Sequence, residues 1–305
     1  MPLHPQAHRF LEAHRSLGLK PIEQGTPDEF RKALRSAVTS DGTAEEMKAT
    51  EDRQIIGPAG SIPVRIYWPL SRKPKGALVY YHGGGWVGGN KEANVLRLLP
   101  YLEQGWAAVN VQYRLGNVSL APAAVEDSLC ALRWVVRNAE QYGFDPEKLV
   151  VSGNSAGGHL ALTTGMIPSE AGLDRQGLGS ETPDVAAIVN WYGITDVGDL
   201  LSGVNEKSYA VRWLGSQSNI HEIADRVSPL KYIRADLPPI ITIHGDADPI
   251  VPYNHAVQLH RGLDQAEIVN QLLTVPNGLH GGFPADEMLR IYSSIFSFLD
   301  DNVLK

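Results

Sequence analysis

KLVVSGNSAGGHLALTTG, residues 148–165, decides how the rest of the chain is read. It opens as a short β-branched run, breaks at a glycine-flanked turn and continues into small and apolar residues suited to a helix. A strand that turns straight into a helix around a serine holds that serine in a strained backbone, with its Oγ projecting above the sheet. Gly153 and Gly157 fit such a turn, because any side chain at either position would collide with the neighbouring strand or helix. The helix N-terminus behind Ser155 also aims backbone N–H groups at the place where negative charge would develop. A plain Gly/Ser turn joining strand and helix is the bland alternative, and the G-x-S-x-G pentapeptide alone suits both.

The same grammar extends in both directions. ALVYYH, AAVNVQY, AAIVNWYG, PPIITIHG and IVNQLLTV are short apolar runs with little alternation, as in strands covered on both faces. Between them lie helix-length segments at 93–102, 122–142, 157–166, 252–263 and 284–299. Strand alternating with helix predicts an α/β fold with a mostly parallel sheet. Ahead of it, RQIIG and PVRIYW flank GPAGS and read as a hairpin. Residues 194–235 break the rhythm with mixed polar and aromatic residues and no convincing strand; insertions of that size often cover an active site. Residues 1–50 differ again. Two short helices are expected there, at His8–Leu17 and Asp28–Val38, neither apolar enough for a core of its own.

Composition narrows the function classes. The chain has 305 residues, a net charge of −7 and 43% hydrophobic residues, so it is globular and lacks the dense Lys/Arg field that nucleic acid or an anionic membrane requires. One cysteine, Cys130, excludes an intramolecular disulfide and a Cys-based zinc site. His4 and His8 have helical spacing but no evident third ligand, so no metal is expected. The first residues carry no apolar leader core, and no stretch approaches about 18 uninterrupted apolar residues, which makes a soluble cytoplasmic protein the expectation.

His82-Gly83-Gly84-Gly85-Trp86 follows the run ALVYY directly. Three consecutive glycines are costly in conformational entropy and make sense where the main chain passes close to something and offers bare N–H donors. A phosphate cradle would need a following G-K-[ST] or an opening G-x-G-x-x-G, and neither is present. Taken together, H-G-G-G-W and G-N-S-A-G-G resemble the α/β-hydrolase superfamily and, within it, the hormone-sensitive-lipase-like esterases. GPAGSIPVRIYWP, Tyr113–Leu115, PAAVEDSLCALRWV and GFDPEKLVVSGNSAGGHLAL resemble that family's segments in the family's order. The resemblance implies an eight-stranded sheet, a helical cap over residues 1–50, a catalytic domain over 51–305, and an oxyanion hole made by the N–H groups of Gly83, Gly84 and Ala156.

In this fold an acid and then a histidine follow the serine. Asp246 and Asp248 lie in the loop after PPIITIHG, and either carboxylate can orient an imidazole. Asp248 is favoured: it lies farther past the strand and matches the acid of the H-G-x-x-D-x-x-V-P pattern, whereas Asp246 suits a turn cap. That pattern resembles feruloyl or acetyl-xylan esterases more than the D-P-L segment usual in hormone-sensitive-lipase-like enzymes. Asn154 likewise stands where an acidic residue is commoner. His255 and His260 fall in an amphipathic helix and read as solvated. His280, in a glycine-rich loop after the last strand, is the expected base.

The implied activity is a serine carboxylesterase with a Ser155–His280–Asp248 triad, needing neither cofactor nor metal and acting on short-chain acyl or aryl esters. Trp86 and Tyr192 are expected to line the substrate pocket. The alternatives are an arylformamidase-like amidase and, since His280 is present, much less a small-molecule receptor of the gibberellin-receptor kind. The expected partner is a small ester, with no nucleic acid and no membrane; a homodimer is left open.

Overall fold

The apolar runs form one eight-stranded sheet in the computed structural model, which describes residues 49–71, 73–92, 94–173 and 183–304. The helices expected at His8–Leu17 and Asp28–Val38 lie outside the described residues, as do His4 and His8. The strands are β1 (Ala49–Gly57), β2 (Gly60–Trp68), β3 (Ala77–Tyr81), β4 (Ala107–Val111), β5 (Leu149–Asn154), β6 (Ala187–Trp191), β7 (Ile240–Gly245) and β8 (Asn270–Val275). Their spatial order is β1-β2-β4-β3-β5-β6-β7-β8. The β1–β2 hairpin and the β2–β4 pair are antiparallel, and every later pair is parallel.

That order places the site. The chain leaves β3 toward β4 on one side and returns past β3 to β5 on the other, so the loops after β3 and β5 diverge and open a crevice at the strands' C-terminal ends. The glycine turn follows β3 and Ser155 follows β5, so both face that crevice.

Among the described residues, seven helices of seven or more residues cover the sheet: α1 (Val95–Glu103), α2 (Ala123–Arg137), α3 (Ala156–Met166), α4 (Ser208–Leu214), α5 (Ile220–Arg226), α6 (Asn254–Gln265) and α7 (Ala285–Asn302). Alternate residues of the central strands serve opposite layers. Ala77, Val79 and Tyr81 of β3 join a core with α2, α3 and α6, while Leu78 and Tyr80 join one with α1 and α7. Both faces are therefore apolar, which is why the sequence showed runs instead of alternation. Residues 194–235 hold α4, α5 and short 3-10 turns. Trp213 of α4 is fully buried and stacks on Trp86, centroids 4.1 Å apart, fastening this segment to the glycine turn.

Arg114 locks the turn after β4 to α2 by pairing with Asp127 and, at 3.6 Å, with Glu126. Arg114 Nη2 and Nε donate to Asp127 Oδ1 at 2.7 and 3.0 Å, and the Arg114 amide donates to Oδ2 at 2.8 Å. The Asp127 side chain is 1% exposed, so removing it breaks the closest of these contacts and leaves the Arg114 amide and Nε without their acceptor. Asp127→Ala is expected to cost about 2–3 kcal/mol of unfolding free energy, read from urea denaturation. A loss below about 1 kcal/mol would contradict the role given to this pair.

Candidate active site

The turn from β5 into α3 is built on close backbone contact. A Cβ on Gly153 would lie 2.6 Å from the Tyr81 carbonyl oxygen, and one on Gly157 would lie 2.7 Å from that of His82, with Tyr81 O nearer still. Only glycine fits at either position. Between them Ser155 takes φ 57° and ψ −121°, a conformation costing about 1–3 kcal/mol for a non-glycine residue. Its amide donates to Trp191 O at 2.8 Å and its carbonyl accepts from His159 at 3.0 Å, so the strain is held from both sides. Trp86 (φ 59°) and Tyr192 (φ 40°) also have positive φ, in the connections leaving β3 and β6. Strain of this kind concentrates at functional sites, and three of these residues gather at one sheet edge.

The glycine turn lies against the residue before the serine. A Cβ on Gly83 would fall 2.6 Å from Asn154 Nδ2, while Asn154 Oδ1 accepts from the Tyr80 hydroxyl at 2.9 Å. Gly84 O accepts from the amides of Val87 (3.2 Å) and Gly88 (3.0 Å), closing the turn; among the described residues no main-chain bond of the turn uses the N–H of Gly83 or Gly84. His82 braces the turn from within. Its Nδ1–H donates to Gly83 O at 2.8 Å, and its ring stacks on Tyr113, whose hydroxyl donates to His82 O. Burial pushes its imidazole down to about 4, so the ring is neutral at neutral pH.

The acid and the histidine meet across the β7 and β8 loops. His280 Nδ1 lies 2.7 Å from Asp248 Oδ2, and Asp248 Oδ1 accepts from the amides of Ile250 (2.8 Å) and Val251 (3.0 Å). Burial raises the Asp248 carboxyl, but hydrogen bonds from His244, His280 and the Ile250 amide outweigh it and hold it well below the usual carboxylate range. Asp246 is the turn residue, accepting from the Asn277 amide at 2.6 Å. Nδ1 of His280 is committed to the carboxylate, which leaves Nε2 for proton traffic. The ring of Tyr192 packs on His280, centroids 4.6 Å apart, and the preceding residue, Trp191, holds the Ser155 amide. Serine and histidine thus flank one peptide at the end of β6.

A hydroxyl on a strained turn, bare amides beside it and an imidazole oriented by an ionised carboxylate form the set that acyl transfer needs. Residues 64–263 match the model of the BD-FAE family. The chain belongs to the BD-FAE family. It is similar to ethyl acetate hydrolase of Pseudomonas putida (29% identity, 92% of each chain) and to carboxylesterase NlhH of Mycobacterium tuberculosis (36% identity, 47% of this chain and 45% of NlhH). It is also similar to the probable carboxylic ester hydrolase LipM of that organism, with 32% identity over 57% of this chain. The matches span under half the length of LipM (41%) and NlhH. Among solved structures, the propionate-bound esterase Est2 of Thermogutta terrifontis superposes with a TM-score of 0.70 at 27% identity, covering 85% of this chain and 97% of that one.

Two residues expected at the pocket of this BD-FAE chain are buried instead. Trp86 is 0% exposed: its Nε1–H donates to His159 Nδ1 at 3.1 Å and its ring is sandwiched by packing, so it braces the glycine turn and offers no surface to a ligand. Tyr192 is 2% exposed and packs on His280; its hydroxyl is bound by Arg97 Nη2 at 2.6 Å. The solvated reading of His255 and His260 is overturned. His255 accepts the Thr195 amide and contacts Asp199, and His260 bonds Asn270 Oδ1, because the insertion and β8 cover that side of α6. The sequence reading missed Tyr209, which lies over Gly85 and donates from its hydroxyl to Ile250 O at 3.1 Å, bridging the glycine turn and the acid loop. It also missed His244, the first residue of the H-G-x-x-D-x-x-V-P pattern, which was given no role. Among the described residues no cluster of three metal-ligating side chains occurs, and no helix is long and apolar enough to cross a membrane.

Burial also lowers His159, to about 3, where protonation would set a charge against the Trp86 N–H. For His82 and His159 the unfolded chain takes up protons near pH 6.5 and the folded one only near 4 and 3. Their contribution to stability is therefore full above about pH 6.5 and shrinks as pH falls toward the folded values. Between pH 7 and 5 each is expected to cost about 2 kcal/mol of unfolding free energy. Urea titrations at the two pH values check this, and equal midpoints would contradict it.

Proposed function

We propose that this BD-FAE chain is a serine carboxylesterase acting on short-chain acyl or aryl esters. The observation that carries the reading is the 2.7 Å contact of His280 Nδ1 with an Asp248 carboxylate whose other oxygen is pinned by two amides, at the rim that holds Ser155 on its strained turn. In the first step His280 Nε2 takes the Ser155 proton while Ser155 Oγ attacks the ester carbonyl. Asp248 holds the imidazole in the Nδ1–H tautomer and balances its positive form. The oxyanion rests against the N–H groups of Gly83, Gly84 and Ala156, each donor worth about 3 kcal/mol in the transition state. The alcohol leaves with the proton from His280. Water, activated by the same nitrogen, then cleaves the acyl-enzyme and frees the acid.

Three features support a small substrate. Tyr209 spans from Gly85 to the Ile250 carbonyl, close over the glycine turn. Residues 194–235, fastened to the glycine turn through Trp213, act as a cover over the crevice. The similar Est2 enzyme is recorded with propionate and with butyrate bound.

A kinetic panel of p-nitrophenyl esters tests the reading. Ser155→Ala is expected to lose at least about a thousandfold in kcat while keeping its unfolding midpoint. The wild-type protein is expected to turn over acetate and butyrate esters faster than decanoate. Near-wild-type turnover by the variant would contradict the nucleophile, and preference for decanoate would contradict the substrate class.

A further inference from the structure

His244 is the last histidine of β7 and is fully buried. Its Nε2 lies 3.2 Å from Asp248 Oδ2 and 3.1 Å from Val251 O. Both neighbours can only accept, so Nε2 carries the hydrogen and shares it between them. Its Nδ1, buried as well, has no hydrogen-bond partner. An unsatisfied buried ring nitrogen is destabilising, and an aliphatic side chain would fill the same space without that cost. The imidazole is thus retained at this position for its Nε2–H.

We propose that His244 is a positioning residue that acts through Asp248, as a second imidazole donor to the same carboxylate oxygen that orients His280. The inference rests on the triad reading above. Oδ2 serves two imidazoles and Oδ1 serves two amides, so the carboxylate is held by four donors in one orientation. The second donor has a chemical effect as well as a geometric one. A carboxylate whose charge is shared with His244 binds the His280 imidazolium less tightly than one without that donor. Without that donor, His280 would hold its proton longer and the acid limb of kcat/KM would move to higher pH.

The other groups facing this pair do not produce that shift. Tyr192 and Tyr209 are pushed up by burial and stay neutral, the Tyr253 ring meets His244 edge-on, and Asp246 is turned away to the Asn277 amide. Arg97, behind Tyr192, keeps its charge throughout. His255 is pushed down by burial and bonded to Asp199.

Two variants separate donation from packing. In His244→Gln the side-chain amide reaches as far as Nε2 and can still donate to Asp248; in His244→Asn the polarity remains but the reach is lost. The acid limb is expected to stay within about 0.2 pH units of wild type for Gln and to rise by about half a unit or more for Asn, with a larger loss in kcat than change in KM. Equal limbs in the two variants would overturn the proposal. Nitrogen-15 NMR of histidine-labelled wild-type protein gives a reading independent of any variant: the His244 hydrogen is expected on Nε2, and an Nδ1–H tautomer would overturn the proposal. Retained turnover by Ser155→Ala would mean that the triad reading itself had failed. A dead Ser155→Ala with an unshifted His244→Asn would remove the His244 inference alone.

Discussion

The approach of Gly153 and Gly157 to the carbonyl of Tyr81 is the constraint on which the rest depends. It lets the end of β3, the start of α3 and the turn after β5 occupy one small volume. Ser155 then has no relaxed conformation available and projects from a backbone that its neighbours over-determine. Because β3 contributes both the contacted carbonyl and the glycine turn that follows it, the same contact sets the distance between the serine and the bare amides. Any side chain at either glycine would push these elements apart and spoil both at once.

Around that contact the protein builds rigidity from buried polar parts. His82 and His159 are neutral rings used as struts, one under the glycine turn and one under Trp86. Arg97 braces Tyr192, which packs on His280, and Asp248 is gripped by four donors. Each strut sits one layer away from the atoms proposed to react. Their effect is to fix geometry before a substrate arrives, so that little reorganisation is left for the transition state.

Much of the fold was legible in the sequence, because strands covered on both faces and amphipathic helices leave different periodicities. Ser155, His280 and Asp248 stood out as candidates because each lies just beyond a strand, beside residues with turn chemistry. What stayed hidden depends on contacts between distant segments. Trp86 is equally suited to a pocket or a core until Trp213, from the insertion, stacks on it. His255 and His260 fall on a helix with a polar pattern, and only the arrival of Thr195 and Asn270 buries them. His244 was quoted as part of a motif, but its partner lies four residues on, across a turn whose shape periodicity does not encode.

The central proposal is that the His280 imidazole makes Ser155 nucleophilic. A fluorophosphonate probe followed by peptide mass spectrometry tests this most directly. The account predicts stoichiometric labelling of Ser155 in the wild-type protein, and labelling slowed by at least about a hundredfold in His280→Ala. A label on another residue, or equal labelling rates in the two proteins, would contradict it.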